Sequence, residues 1–189
     1  MRRKWQHAKH VLALGLAVGC AACALTRSEV KALRDLDAAR VAFDAVIPTT
    51  ITALNDLPSH CGPAGNRRRS AEEFRVYEVV GRMTRVRRER DRDVHIVLAD
   101  VEHPRDRLVI ELGDPDTRSG RRSPYRARLA AAQRMFEDLQ RQFGVRSVRE
   151  LEGRSVRVTG VGFFDVTHFQ RGRSRSCIEL HPVLAIEPQ

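Results

Sequence analysis

The stretch that most constrains the fold is residues 74–87, FRVYEVVGRMTRVR. Its apolar residues alternate on both sides of an extended chain, Tyr77, Val79 and Met83 on one and Val76, Val80 and Val86 on the other. A period of two is that of a β-strand. A strand this long with two apolar sides has to curl and contribute to two faces, and Gly81 at its middle marks where it would bulge or bend.

The segments that follow read as a series around that strand. Residues 93–100 (DVHIVLAD) alternate, with Val94, Ile96 and Leu98 facing one way and His95 and Val97 the other. A turn through Pro104 leads to a third strand, residues 107–112 (RLVIEL). Ser123 followed by Pro124 is a helix-start signal. The helix expected over 124–143 places Leu129, Ala132, Met135, Phe136, Leu139 and Phe143 on one face, and Gly144 stops it. Two more strands, 155–165 and 177–187, close the chain. The order β-β-β-α-β-β is that of the OB-fold, a small Greek-key barrel. The expected class is therefore mainly β with helices: a five-stranded OB-like barrel preceded by a helical N-terminal extension.

Three regions are expected. Residues 1–24 read as an export signal: Arg2, Arg3 and Lys4 precede the short apolar run VLALGLAV and then GCAACA, too short for a spanning helix of about 20 apolar residues. Cleavage before Leu25 gives a soluble periplasmic or secreted protein, and retention of the segment leaves a membrane anchor. The alternative reads Ala17-Val18-Gly19-Cys20 as a lipobox and makes Cys20 a lipidated N-terminus, which would associate the chain with a membrane. Residues 25–73 are the extension and linker, with a helix expected from a Thr26/Glu29 capping box to Pro48. Residues 74–189 are the OB-like domain. Beyond the signal two cysteines are left, Cys61 and Cys177, which in an oxidising compartment can form one disulfide.

Several segments of the domain carry a resemblance. They are D-x-H-x-V-L-x-D from Asp93 to Asp100, G-x-G-F-F-D from Gly160 to Asp165 followed by His168, and I-E-L-H-P-V from Ile178 to Val183. Together they resemble a group of small, uncharacterised, exported bacterial proteins. Over roughly residues 74–188 the resemblance implies an OB-like fold and export, and it brings no established activity with it.

Two constellations are candidates for function. Asp165, His168, Glu179 and His181 put two imidazoles and two carboxylates on adjacent strands, which suits a divalent metal such as Zn²⁺ or Mn²⁺, or general acid–base work. His95 and Asp100 could join either role. Against this stands plain structural hydrogen bonding at a strand end. The second constellation is basic: Arg87, Arg88 and Arg90 between the first two strands, Arg171, Arg173 and Arg175 between the last two, with Tyr77 and Phe169 available for stacking. In OB-folds these loops flank the ligand face, so an anionic ligand such as nucleic acid or envelope phosphates is expected.

Charge alone does not decide between these readings. The net charge is +10, of which Arg2, Arg3, Lys4 and Lys9 supply four, leaving about 10 − 4 = +6 in the mature chain. Lys31 is the only lysine after the signal, so a uniform arginine bias competes with ligand selection as the explanation. A nucleophile elbow, a phosphate-binding P-loop and an H-E-x-x-H helix are all absent from the sequence. Three classes therefore stand: an exported OB-fold binding module, a metal-binding protein or metal-dependent hydrolase, and an envelope module that engages a protein partner.

Overall fold

The computed structural model describes residues 27–62, 65, 67–90, 92–165 and 172–189. In chain order its elements are helix α1 (Ser28–Lys31), strand β1 (Val46–Pro48), helix α2 (Ile51–Asn55) and strand β2 (Val76–Arg88). Then come β3 (Val94–Ala99), β4 (Arg107–Leu112), helices α3 (Arg118–Arg121) and α4 (Arg126–Gln142), β5 (Ser155–Phe164) and β6 (Ile178–Pro188).

The strands run in the order β1-β2-β3-β4-β6-β5, and β2 pairs back onto β5. Strands β2 to β6 thus close a five-stranded barrel, with β4 and β6 parallel and the other barrel pairs antiparallel. This is the OB-like barrel with β1 added in parallel to the start of β2. The long first strand does what its two-sided pattern requires. Its first half pairs with β5 up to Arg82, its second half pairs with β3 from Arg82, and a register shift falls between Met83 and Arg85. Gly81 sits at the change of partner, where a Cβ would lie 2.7 Å from Ile51 Cδ1 of α2. The inward residues of β3, β4 and β6, Ile96, Ile110 and Leu180 among them, are fully buried. Helix α4 adds Ala132, Phe136 and Leu139 to the same core.

The extension departs from expectation. In place of one helix to Pro48, the chain makes one turn of α1, a 3-10 turn Ala38–Arg40 and the short strand β1. Leu33 adopts a positive φ of 54°, which breaks the helix there. Leu36, expected on the apolar helical face, is 95% exposed. Tertiary pairing wins over the helical period: Val41 joins the small cluster of Leu33, Val76 and Val161, and the Ala42 amide donates to the Phe74 carbonyl. The extension is clamped by Arg27 and Glu73, a fully buried pair at 2.6 Å. Glu73 also accepts the Phe164 amide at 2.8 Å, and Arg27 donates to the Phe164 carbonyl. Cys61 and Cys177 form a disulfide that ties the linker to the start of β6.

Candidate functional site

The barrel alternation puts His95, Val97, Val109 and Glu111 on the outside of β3 and β4. His95 lies directly opposite Glu111 in that pair. In β6, Glu179 lies opposite Val109 of β4 and Phe163 of β5, and His181 follows two residues on, on the same face. Asp165 comes just after the end of β5. Five titratable side chains from four segments therefore meet on one outer patch at the barrel end where β4 and β5 finish and β3 and β6 begin. All are buried: Glu179 1% exposed, His181 2%, His95 3%, Asp165 5% and Glu111 8%.

Glu111 is the hub of this patch. Its Oε2 lies 2.8 Å from Nδ1 of His181 and 3.3 Å from Nζ of Lys31, and its Oε1 lies 4.0 Å from Nε2 of His95. Lys31 also reaches Asp165 Oδ2 at 3.3 Å. The contact to His181 is close, yet it lacks the alignment of a hydrogen bond. Among the described residues, both ring nitrogens of His95 and the Oε2 of Glu179 are buried without a hydrogen-bond partner. Buried polar atoms are almost always satisfied, so three unpartnered side chains around one carboxylate form an unusual concentration.

The electrostatics split the carboxylates. Burial would raise Glu111, but the charges of His181, Lys31 and His95 outweigh it and hold Glu111 well below the usual carboxylate range. Glu179 goes the other way: burial, then the negative charge of Glu111, push it well above its ordinary value. Burial alone would lower the Lys31 amine, but Glu111, Asp165 and Glu179 more than offset it and leave it raised. His95 is lowered by burial, with Glu111 opposing. The charged form is thus favoured at Glu111 and disfavoured at Glu179, with the Lys31 ammonium acting on both.

A third carboxylate completes a ligand set. Asp93, half-buried just before β3, together with Glu111 and His181 offers ligand atoms that all lie within 4.8 Å of one another. Ligand atoms held tetrahedrally around one ion at about 2.0–2.2 Å lie about 3.3–3.6 Å apart, so the set would have to close by somewhat more than an ångström to take an ion. Two carboxylate oxygens and an imidazole nitrogen suit Zn²⁺ or Mn²⁺. Asp93 is already oriented, because its Oδ1 accepts the Asp114 amide at 2.6 Å.

The patch is covered by the chain itself. Arg27 and Lys31 lie over the Phe163 ring at 4.4 and 5.3 Å, and His181 packs on that ring at 5.6 Å. Beyond it, Gly172 presses on Val97, where a Cβ would come within 2.4 Å of the valine methyl. Ser176 Oγ donates to the Leu54 carbonyl at 2.8 Å, and the Arg175 amide donates to Asn55 Oδ1 at 2.8 Å. The outer β3–β4 face, the usual ligand surface of OB-folds, is thus interior in this protein.

Of the expected metal set, Asp165, Glu179 and His181 come together, whereas His168 lies outside the described residues. Asp100, on the opposite end of β3, instead accepts the amides of Thr52, Glu102 and His103. Glu111 and Lys31 went unassigned, and Asp93 figured only in the motif. The available signal for Glu111 was a lone acid inside the apolar run RLVIEL. The described members of the basic set are engaged within the chain or exposed. Arg87 pairs with Glu89 at 2.7 Å, Arg88 donates to the Arg92 carbonyl, and Arg175 pairs with Asp56 and Asp106. Arg90 and Arg173 are exposed, Tyr77 is buried, and Arg171, Phe169 and Cys20 lie outside the described residues.

The residues drawn together here come from the same segments that carry the resemblance: His95 from the first, Asp165 from the second, Glu179 and His181 from the third. Comparison with protein-family models, curated proteins and solved structures finds no match to this chain.

Proposed function

We propose that this is an exported OB-barrel protein that binds one divalent metal ion on the outer face of its barrel, through Glu111, His181 and Asp93. The observation that carries the reading is the convergence of Asp93, Glu111 and His181, whose ligand atoms lie within 4.8 Å of one another, with His181 Nδ1 buried against Glu111 and lacking an aligned hydrogen bond. Leaving a polar group buried and unpaired costs about 1–3 kcal/mol. A cation bound between them would offset that cost and draw on the same negative charge that Lys31 now neutralises. The close, unaligned contact of His181 Nδ1 with Glu111 Oε2 is what two ligands of one ion would adopt. Half-buried Asp93 provides the approach from solvent. The disulfide between linker and barrel agrees with an oxidising compartment.

Thermal unfolding with and without Zn²⁺ or Mn²⁺ tests this, because an ion that binds only the folded state stabilises it by about 2.7 kcal/mol at one hundred times its dissociation constant. The expected result is a concentration-dependent rise in Tm for the wild type and none for His181→Ala. Equal rises in both, or none in either, would remove the reading.

A further inference from the structure

The N-terminal extension and the residues just before β2 line an open cleft of about 810 Å³ that shares no lining residue with the carboxylate–imidazole patch. That volume falls within the range of about 300–1,000 Å³ typical of ligand pockets. Five arginines and one aspartate line it. Three of the five are paired with acids, Arg68 with Asp35, Arg40 with Asp37 and Arg75 with Glu72, whereas among the described residues neither Arg67 nor the Arg69 guanidinium is paired with a carboxylate.

The arginines have distinct duties. Arg68 is a wall, its side chain almost fully buried and forked onto Asp35 at 3.0 Å through both Nε and Nη2. Arg69 is fixed by neutral acceptors: Nη1 and Nη2 donate to the carbonyls of His60 and Gly62, each at 2.7 Å. Its orientation is set without a carboxylate on its guanidinium. Arg40 stacks on the Phe74 ring at 4.4 Å and touches Asp37 at 3.1 Å. Arg75 is half exposed, with Glu72 only within 3.6 Å. Arg67 is exposed, and among the described residues its side chain has no acidic partner. Burial, and after it the like charge of Arg27, lower Arg69, with Glu73 and Asp165 opposing.

We infer that this cleft binds a phosphate group, with Arg67, Arg69 and Arg75 as its ligands and Arg40, held by Phe74, at its rim. Guanidinium forks match phosphate oxygens in geometry and form charge-assisted hydrogen bonds. A pre-oriented fork such as that of Arg69 loses little freedom on binding. The group could arrive on a soluble phosphomonoester or on a lipid headgroup; the recognition chemistry is the same.

The test is calorimetric titration of the purified protein with inorganic phosphate and glycerol phosphate at low salt. Co-sedimentation with phosphatidylglycerol and phosphatidylcholine vesicles runs alongside. Saturable one-to-one binding of phosphate or glycerol phosphate is expected, weakened at least about tenfold by Arg67→Glu and by Arg67→Gln/Arg75→Gln. Arg118→Gln/Arg121→Gln, on exposed α3, should bind as the wild type does. Among the described residues Arg67 has no acidic partner to lose, so Arg67→Glu should keep the wild-type unfolding midpoint. Sedimentation with phosphatidylglycerol alone, lost in Arg67→Glu, would assign the group to a lipid. Absence of saturable binding to every probe, or binding equally strong in the cleft variants and the α3 control, overturns the inference.

Discussion

The Oε2 of Glu111 on β4 lies 2.8 Å from the Nδ1 of His181 on β6, in a patch almost closed to solvent. Breaking a buried charge contact by removing one partner costs about 3–5 kcal/mol. With chelator present, Glu111→Gln should therefore lower the urea-unfolding free energy at pH 7 by about 3 kcal/mol. The sign with pH is fixed. A carboxylate held below its unfolded value contributes fully above the unfolded pKa of about 4.3, and its contribution is lost as pH falls toward the lower folded value. The gap between wild type and variant should narrow in acid.

Glu179 predicts the opposite trend. Its folded pKa is raised, so its contribution is complete below the unfolded pKa of about 4.3 and is lost as pH climbs through the folded value. Glu179→Gln keeps the shape and removes the titration. In metal-free protein it should be more stable than wild type at pH 8, by about 1 kcal/mol or more, and equal to it at pH 4. Urea unfolding at the two pH values reads this directly.

Lys31 competes with the proposed ion for Glu111. Lys31→Met keeps the stem over Phe163 and removes the ammonium 3.3 Å from Glu111 and from Asp165. The variant should be less stable than wild type without metal, and it should bind Zn²⁺ or Mn²⁺ at least about tenfold more tightly, because a like charge a few ångströms away is gone. Competition against a chelating dye measures both affinities.

The barrel was legible from the sequence because its signals are local. The two-sided alternation around Gly81, the apolar face of α4 and the alternation of β3 each fix an element without reference to the rest. The extension was not legible, because the periodicity of Val30, Leu33 and Leu36 suits a helix until tertiary contacts bury Leu33 and expose Leu36. The site was half legible. Asp165, Glu179 and His181 stood close in sequence on the last two strands. Glu111 and Lys31 join them only through the β3–β4 register and the path of α1, which no local spacing encodes. For the arginine loops, sequence shows the charge but not the pairing of Arg87 with Glu89 or of Arg175 with Asp56 and Asp106, which comes only from the fold.

The disulfide closes a loop across a sequence separation of 116 residues. Chain entropy for a loop that long corresponds to about 4–5 kcal/mol, and measured values for native bridges run at about 2–5. Cys61→Ser/Cys177→Ser should lower the unfolding free energy by about 3–4 kcal/mol, and a reducing agent should do the same to the wild type while leaving the variant unchanged.

The most direct test of the central claim is the metal content of the protein after purification without chelator, by elemental analysis, with Glu111→Gln and His181→Ala prepared in parallel. Stripped protein is then dialysed against Zn²⁺ and Mn²⁺ and analysed again. One ion per wild-type chain, lost in both variants while their far-ultraviolet spectra stay native, is the predicted result. Wild-type protein that holds no ion before or after dialysis, or variants that hold as much as wild type, would contradict it.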